Sequence, residues 1–284
     1  MQSMNFGKAA NRALRALRRG APTGLAAVAL CVSSAQAESL RATYALSIIG
    51  LPIGTADASA ALEPDSYRIE IGLRLTGLAA LVSKAKGAAA ANGQIANSTV
   101  LPAAYANTTA NATETRTVRM GLAAGTVRAV DISPPFLDME GRVPVTEAHK
   151  ARILDPVSAL VMTVPPGEPL VGPSACDHRT LPVYDGLVRF NVTLAYVGTR
   201  QVQAKGYSGP VTVCSARYTP IAGYKLDSQS TKFMAENRNI EAWLAPVEQA
   251  HVVVPYYISV GTKAGTIVIQ AVDFQLVHEH AQSQ

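Results

Sequence analysis

The sequence predicts a mainly β fold: a curved antiparallel sheet or open β-barrel or sandwich, with one or two short helices. Three observations carry that expectation. Apolar residues alternate with polar ones over long runs, most clearly at 67–75, where Tyr67, Ile69, Ile71, Leu73 and Leu75 interleave with Arg68, Glu70, Gly72 and Arg74. A period of two places one set on a packed face and the other in solvent. About a dozen such runs are joined mainly by short turns rich in Gly, Pro, Asp and Asn. Amphipathic helical periodicity is almost absent, so nothing supplies the long crossovers that a parallel sheet needs.

The elements follow in order. Arg41–Ile48 places Ala42, Tyr44, Leu46 and Ile48 on one face. "GLPIG" (50–54) is a turn, Thr55–Glu63 the return strand and "PDS" (64–66) the next turn. Gly77–Lys84 is expected as a short helix. Residues 88–115, rich in Ala, Asn and Thr, are expected as weakly packed strands at the sheet edge. Residues 131–150 hold three prolines and mixed charges, and read as a long surface connection that marks a possible seam. A second short helix is expected over Asp155–Met162, with Asp155 as N-cap and Pro156 at N1. Val188, Phe190, Val192, Leu194 and Tyr196 share a strand face, "VGTR" (197–200) turns the chain, and Val211–Thr219 follows. Arg238–Leu244, Val252–Val260 and Thr266–Val277 complete the set. Prolines fall mostly at the ends of these runs, where a missing N–H does least harm.

The N-terminus carries an export signal. Lys8, Arg12, Arg15, Arg18 and Arg19 precede an apolar run at Leu25–Val32, and Ala35-Gln36-Ala37 completes an A-x-A pattern that places cleavage between Ala37 and Glu38. The run is too short to span a bilayer, which takes about 20 apolar residues. Leu30 before Cys31 argues against a lipoprotein anchor, and Gly-Ala-Pro after Arg18-Arg19 argues against twin-arginine export. The expected organisation is a signal over 1–37, one β-rich domain over 38–277 and a loose tail over 278–284, placed in the periplasm with no integral span.

Losing the signal changes the charge. The chain has 25 Lys and Arg against 20 Asp and Glu, and five of the basic residues lie in 1–37. The remainder is balanced, which removes the case for a nucleic-acid partner. Of three cysteines, Cys31 leaves with the signal. Cys176 and Cys214 then form one disulfide in an oxidising compartment.

Residues of chemical interest are few. There is no G-x-S-x-G, H-E-x-x-H, C-x-x-C or phosphate-cradling Gly-Lys loop. "CDHRTLPVYDG" (176–186) brings a cysteine, a histidine and Asp185 close in sequence, the composition of a nucleophile with its base and orienter. Oxidation of Cys176 removes that nucleophile. His278 and His280 have the H-x-H spacing of zinc ligands but no third ligand nearby. His149 and His251 stand alone. Asp131, Asp138 and Glu140 fall in the proline-rich connection, without an aromatic sugar platform. Glu236 and Glu241 flank Arg238 in what reads as a strand with a charged outer face. No cofactor or metal is implied. Trp243, the single tryptophan, is a candidate ligand contact together with Tyr184, Asp185 and Arg189.

The ordered blocks "DPVSALV" (155–161), "C…LPVYDGLVRFNV" (176–192), "GPVTVCSARYTPIAGY" (209–224), "RNIEAWLAPV" (238–247) and "VPYYISVGTKAGTIVIQA" (254–271) resemble a family of exported bacterial proteins catalogued as domain of unknown function 3108, in its alphaproteobacterial form. "YALSIIGLPIGTA" (44–56) matches its N-terminal strand and Gly-x-x-x-Gly turn. Where the family continues "DG" with arginine, this chain has Leu187 and then Arg189, which weakens a charge-pair site on Asp185. The resemblance implies a β-rich fold and no established reaction.

The function expected is a non-enzymatic periplasmic protein that binds an apolar or envelope-derived ligand, or an envelope partner protein, in the concavity of its sheet. One alternative is a cell-envelope hydrolase using polar residues near Asp185 and His178. The other is a purely structural interaction domain that pairs through a sheet edge.

Overall fold

The computed structural model describes residues 38–76 and 85–278. The expected export signal with Ala37, the helix expected at 77–84, and the expected tail after His278 lie outside the described residues.

Fourteen strands form one antiparallel sheet. They are β1 (Glu38–Ile48), β2 (Leu51–Leu62), β3 (Ser66–Leu75), β4 (Lys86–Ala96), β5 (Thr99–Ala110), β6 (Thr115–Ala123) and β7 (Thr126–Ser133) in the first half. The second half has β8 (Met162–Thr163), β9 (Thr180–Tyr184), β10 (Arg189–Ala204), β11 (Tyr207–Ala222), β12 (Ile240–Val247), β13 (Val252–Thr262) and β14 (Gly265–His278). The order across the sheet is β7-β6-β5-β4-β3-β2-β1-β14-β13-β12-β11-β10-β9, with β8 paired to β13. Along that order, neighbouring strands are consecutive in sequence at every pair but one. The exception is β1 beside β14, where Glu38 faces His278.

The two outer strands, β7 and β9, do not pair with each other. The chain between them fills the gap. Ile153 donates to the Gly125 carbonyl at 2.8 Å, Leu154 donates to Pro182, and Tyr184 donates back to Leu154. The β9–β10 turn also leans on the far edge. Gly186 has φ +102°, and a Cβ there would stand 2.6 Å from Val118. Only glycine allows that approach and that backbone together.

Two cores result. In the first, Leu40, Leu62, Tyr67, Ile69, Ala91, Tyr105 and Met120 of the sheet pack against Ile153, Val157 and Val161 of the connection. In the second, Met162, Val164, Leu170, Ala175 and Cys176 lie over Leu194, Cys214, Ala216, Leu244 and Val253. Full burial of one such Leu- or Val-sized side chain contributes about 1.5–3 kcal/mol. Cys176 and Cys214 are joined by a disulfide that fastens this second cover to β11.

Several local expectations are corrected. Residues 197–200 do not turn the chain: β10 runs through them, and the unmatched residue Val197 forms a bulge between Tyr196, the partner of Cys214, and Gly198, the partner of Val213. The reversal comes later, at Lys205–Gly206, so the two strands are 16 residues each. Residues 88–115 are not at an edge. As β4 and β5 they sit between β3 and β6, with Ala91, Ile95, Val100 and Tyr105 buried. The helix expected at Asp155–Met162 is a single 3-10 turn, Ser158–Leu160, because buried Val161 already returns to extended backbone. Asp155 still caps it, its Oδ1 accepting from the Val157 and Ser158 N–H groups. A helix occurs instead at α1 (Gln229–Glu236), capped by Ser228, whose Oγ accepts from Thr231. Glu236 therefore ends a helix, and the following strand begins at Ile240.

Candidate functional site

The packed face of β3, β4, β5 and β6 is a stack of cross-strand rungs. Ile69–Ala91–Tyr105–Met120 is covered by the connection. The next two rungs, Ile71–Ala89–Asn107–Val118 and Leu73–Gly87–Thr109–Arg116, continue the same face. Their centres are small: Ala89 and Gly87 leave room where neighbouring rungs carry bulk. The result is a recess of about 510 Å³, lined by Ile71, Leu73, Gly87, Ala89, Asn107 and Thr109. Its floor is apolar and half-buried, and the Asn107 and Thr109 side chains add polar groups along one side. Arg116 stands at the mouth, paired with Glu114 and lying 4.1 Å over the Phe136 ring.

A larger open groove of about 770 Å³ crosses the opposite face of β1 to β5 and β14. Gly72, Ala88, Ala90 and Ala106 floor it; Arg41, Glu70 and the Thr43–Asp57 hydrogen bond (3.0 Å) lie along it.

What covers the inner rungs is fastened by a buried polar network. Tyr67 donates to Ser158 Oγ at 2.7 Å, and Ser158 donates in turn to Asp155 Oδ2. All three residues are buried. Burial raises the Asp155 carboxyl above its ordinary value, against the hydrogen bonds from Ser158 and Val157. Burial likewise raises the Tyr67 hydroxyl. A serine beside a carboxylate has the composition of a hydrolytic pair. Here the serine is sealed from solvent and its carboxylate is spent on two backbone N–H groups, so the network holds the cover in place.

Of the candidates chosen from sequence, Tyr184, Asp185 and Arg189 meet at the β9–β10 turn, where Tyr184 and Arg189 are cross-strand partners, and Trp243 lies apart. Asp185 accepts from the Leu187 and Val188 N–H groups, capping the β9–β10 turn, and burial raises its carboxyl. Arg189 binds the Phe190 carbonyl and Asn191, not Asp185. The Tyr184 hydroxyl donates to the Gly186 carbonyl, and burial pushes it up to about 12. Trp243 pairs with Val213, nine positions along β11 from Ala222, the partner of Arg189. That is about 30 Å of strand. Both faces of the indole are occupied, by Tyr257 at 4.3 Å and the Arg200 guanidinium at 4.8 Å, and its Nε1 donates to Glu241.

The hydrolase alternative needs convergence that is absent among these groups. His178 is exposed beside Asp177, six residues of chain from Tyr184. Asp131 is tied to Arg119, Asp138 to Lys225, and Glu140 is exposed. Glu38 starts β1 and accepts from the Gln249 N–H. His149 accepts from the Thr146 N–H, and the His251 ring lies 3.2 Å from the Pro165 carbonyl. Among the described residues no group of three or more His, Cys, Asp or Glu could hold a metal ion, and no helix is long and apolar enough to cross a membrane.

The recess residues escaped the sequence reading because Ala- and Gly-rich β4 looked weakly packed. The available signal was Gly87, Ala89 and Ala91 at a period of two, opposite the large apolar residues of β3.

Among solved structures, a beta-barrel-like protein of domain of unknown function DUF1849 from Brucella abortus superposes with a TM-score of 0.46 and 10% identity, over 84% of this chain and 98% of that one. No curated protein sequence matches. The model of the family described as "Protein of unknown function (DUF3108)" matches residues 41–272, and the chain belongs to that family.

Proposed function

We propose that the chain is exported, with cleavage between Ala37 and Glu38, and acts without catalysis as a periplasmic binding protein for an apolar, envelope-derived ligand. The recess over Ile71, Leu73, Gly87 and Ala89 carries this reading. It is an apolar part of the core face left uncovered, with Asn107 and Thr109 placed to orient a polar end. The Cys176–Cys214 disulfide supports export. The edge-pairing alternative is less favoured, because Leu154 already pairs with the outer side of β9.

The test is native mass spectrometry and solvent extraction of protein purified from a bacterial periplasm, with N-terminal sequencing of the same sample. The wild type should carry an apolar small molecule and begin at Glu38. Ala89→Phe, which fills the recess, should lose that molecule while melting within about 1 kcal/mol of wild type, because the site opens to solvent. Wild-type protein with no co-purified molecule would sink the reading.

A further inference from the structure

The register of the sheet sorts every turn to one of two ends. One end carries the turns between β2 and β3, β4 and β5, β6 and β7, β10 and β11, and β12 and β13. Their residues are Glu63 to Asp65, Asn97 and Ser98, Ala124 and Gly125, Lys205 and Gly206, and Glu248 to His251. Among the described residues, none of these turn residues is an exposed large hydrophobic; Val277 (42% exposed), near the end of β14 opposite Ser39, lies beside them. The other end carries the β1–β2 and β13–β14 turns, the exit from β7, and the β11–β12 connection with α1. Ile49 (69% exposed), Leu51 (66%), Leu137 (93%), Met139 (52%) and Leu226 (65%) all lie at this end.

These side chains form a rim linked by contacts. Ile49 lies against Gly265 of the β13–β14 turn. Lys263 of that turn sits 6.0 Å over Phe233 of α1. Leu226, just before α1, donates its N–H to Gly141 at 3.2 Å, and Lys225 pairs with Asp138. Arg142 ties the two loops further, reaching the carbonyls of Asp138 and Gly223. The aliphatic tips are thus held outward on pinned backbone. Five such side chains spread over three segments, the β1–β2 turn, the β7 exit and the approach to α1, do not make one concave patch for a protein knob. They match a broad apolar partner touched at several points.

We propose that this end docks on a lipid bilayer, with the Ile49–Leu51 and Leu137–Met139 tips entering the headgroup–acyl boundary. Charge at the rim is close to balanced. Lys86, Arg142, Lys232, Arg238 and Lys263 are outside ion pairs, as are Glu140, Asp227 and Glu236. Docking therefore comes from apolar insertion, with little demand for anionic lipid. The recess over Ala89 opens at the same end, beside Asn111 and Glu114. The inference rests on the rim alone and does not need that recess to be occupied.

The experiment is flotation of the periplasm-purified chain with phosphatidylcholine vesicles, with and without phosphatidylglycerol, at low and high salt. Wild type should float in all four conditions. Ile49→Glu/Leu51→Glu and Leu137→Glu/Met139→Glu should each cut partitioning about tenfold or more, while melting normally, since burying one such side chain is worth that factor. Val197→Glu, at an exposed site (60%) within β10, should float like wild type. A wild-type chain that stays at the bottom of the gradient, whether monomeric or self-associated through these tips, overturns the proposal. So does an equal loss in Val197→Glu, or binding that appears only with phosphatidylglycerol. Ala89→Phe separates the two readings: it should float normally even when its ligand is gone.

Discussion

The two halves of the sheet solve the same packing problem differently. Strands β1 to β7 have small residues at the centre of several rungs, and their cover, residues 153–161, stops short of the last two. Strands β9 to β14 are built around the long β10–β11 hairpin. Their second core carries its own cover, residues 162–176, cross-linked to β11. Aromatic rings tighten that half as well: Tyr207, Tyr256 and Phe274 touch one another at 5.4 to 6.0 Å. The lesson is that a recess appears where cover and bulk are both missing. The second half has a cover cross-linked to its sheet, and the first half, whose cover is fastened by the Tyr67–Ser158–Asp155 hydrogen bonds, carries the recess.

The strongest way to break this contrast is to cut the cross-link. Cys176→Ser/Cys214→Ser opens a loop whose ends are 38 residues apart. Chain entropy alone assigns that loss about 4 kcal/mol. Urea unfolding should show it, and amide exchange should rise over 162–178 and β11 before it rises in β1 to β5. Uniform loosening would remove the distinction between the halves.

A smaller effect sharpens the other side. Asp155 has a raised carboxyl in the folded chain because burial disfavours its charge. Between its ordinary value of 3.8 and the raised one, the folded chain holds a proton that the unfolded chain has released. This residue's contribution to stability therefore falls as pH rises through that window. Asp155→Asn keeps an acceptor for the Val157 and Ser158 N–H groups and carries no proton to lose. Its melting temperature should fall less than that of wild type between pH 4 and pH 7, and an unchanged slope would show that Asp155 is not the source.

The smallest effect is expected at the surface. Arg74–Asp57, at 2.7 Å, lies with both side chains at least half exposed. A double-mutant cycle with Arg74→Ala and Asp57→Ala should give a coupling under about 1 kcal/mol that fades with salt. A larger value would mean that exposed pairs, and not only the cover, hold the first half together.

Much of the fold was legible because its strands separate charged from apolar residues cleanly, as Tyr67–Leu75 does. Other features had no such signal. In α1 no residue is buried, so no apolar stripe marks it; only Ser228 as a cap gives it away. The bulge at Val197 imitates a turn, because Gly198 suits both and pairing is decided by Cys214 and Val213 on the neighbouring strand. The disulfide was readable from compartment and cysteine parity, without geometry. The recess was not readable, because it depends on where a segment some 60 residues downstream of Ala89 stops covering β4. Trp243, Asp185 and Arg189 were chosen by residue type, and their partners turned out to be their own neighbours.

The ladder between β1 and β14 has a consequence for how the molecule comes into being. The first strand of the sheet has its long-range neighbour in the last one, so β1 has one unpaired side until β14 has been synthesised. Contacts that distant close slowly, and an open strand edge invites wrong partners meanwhile. A circular permutant that links His278 to Glu38 and opens at the polar Asn97–Ser98 turn would make that ladder local, and should fold faster with the same final stability.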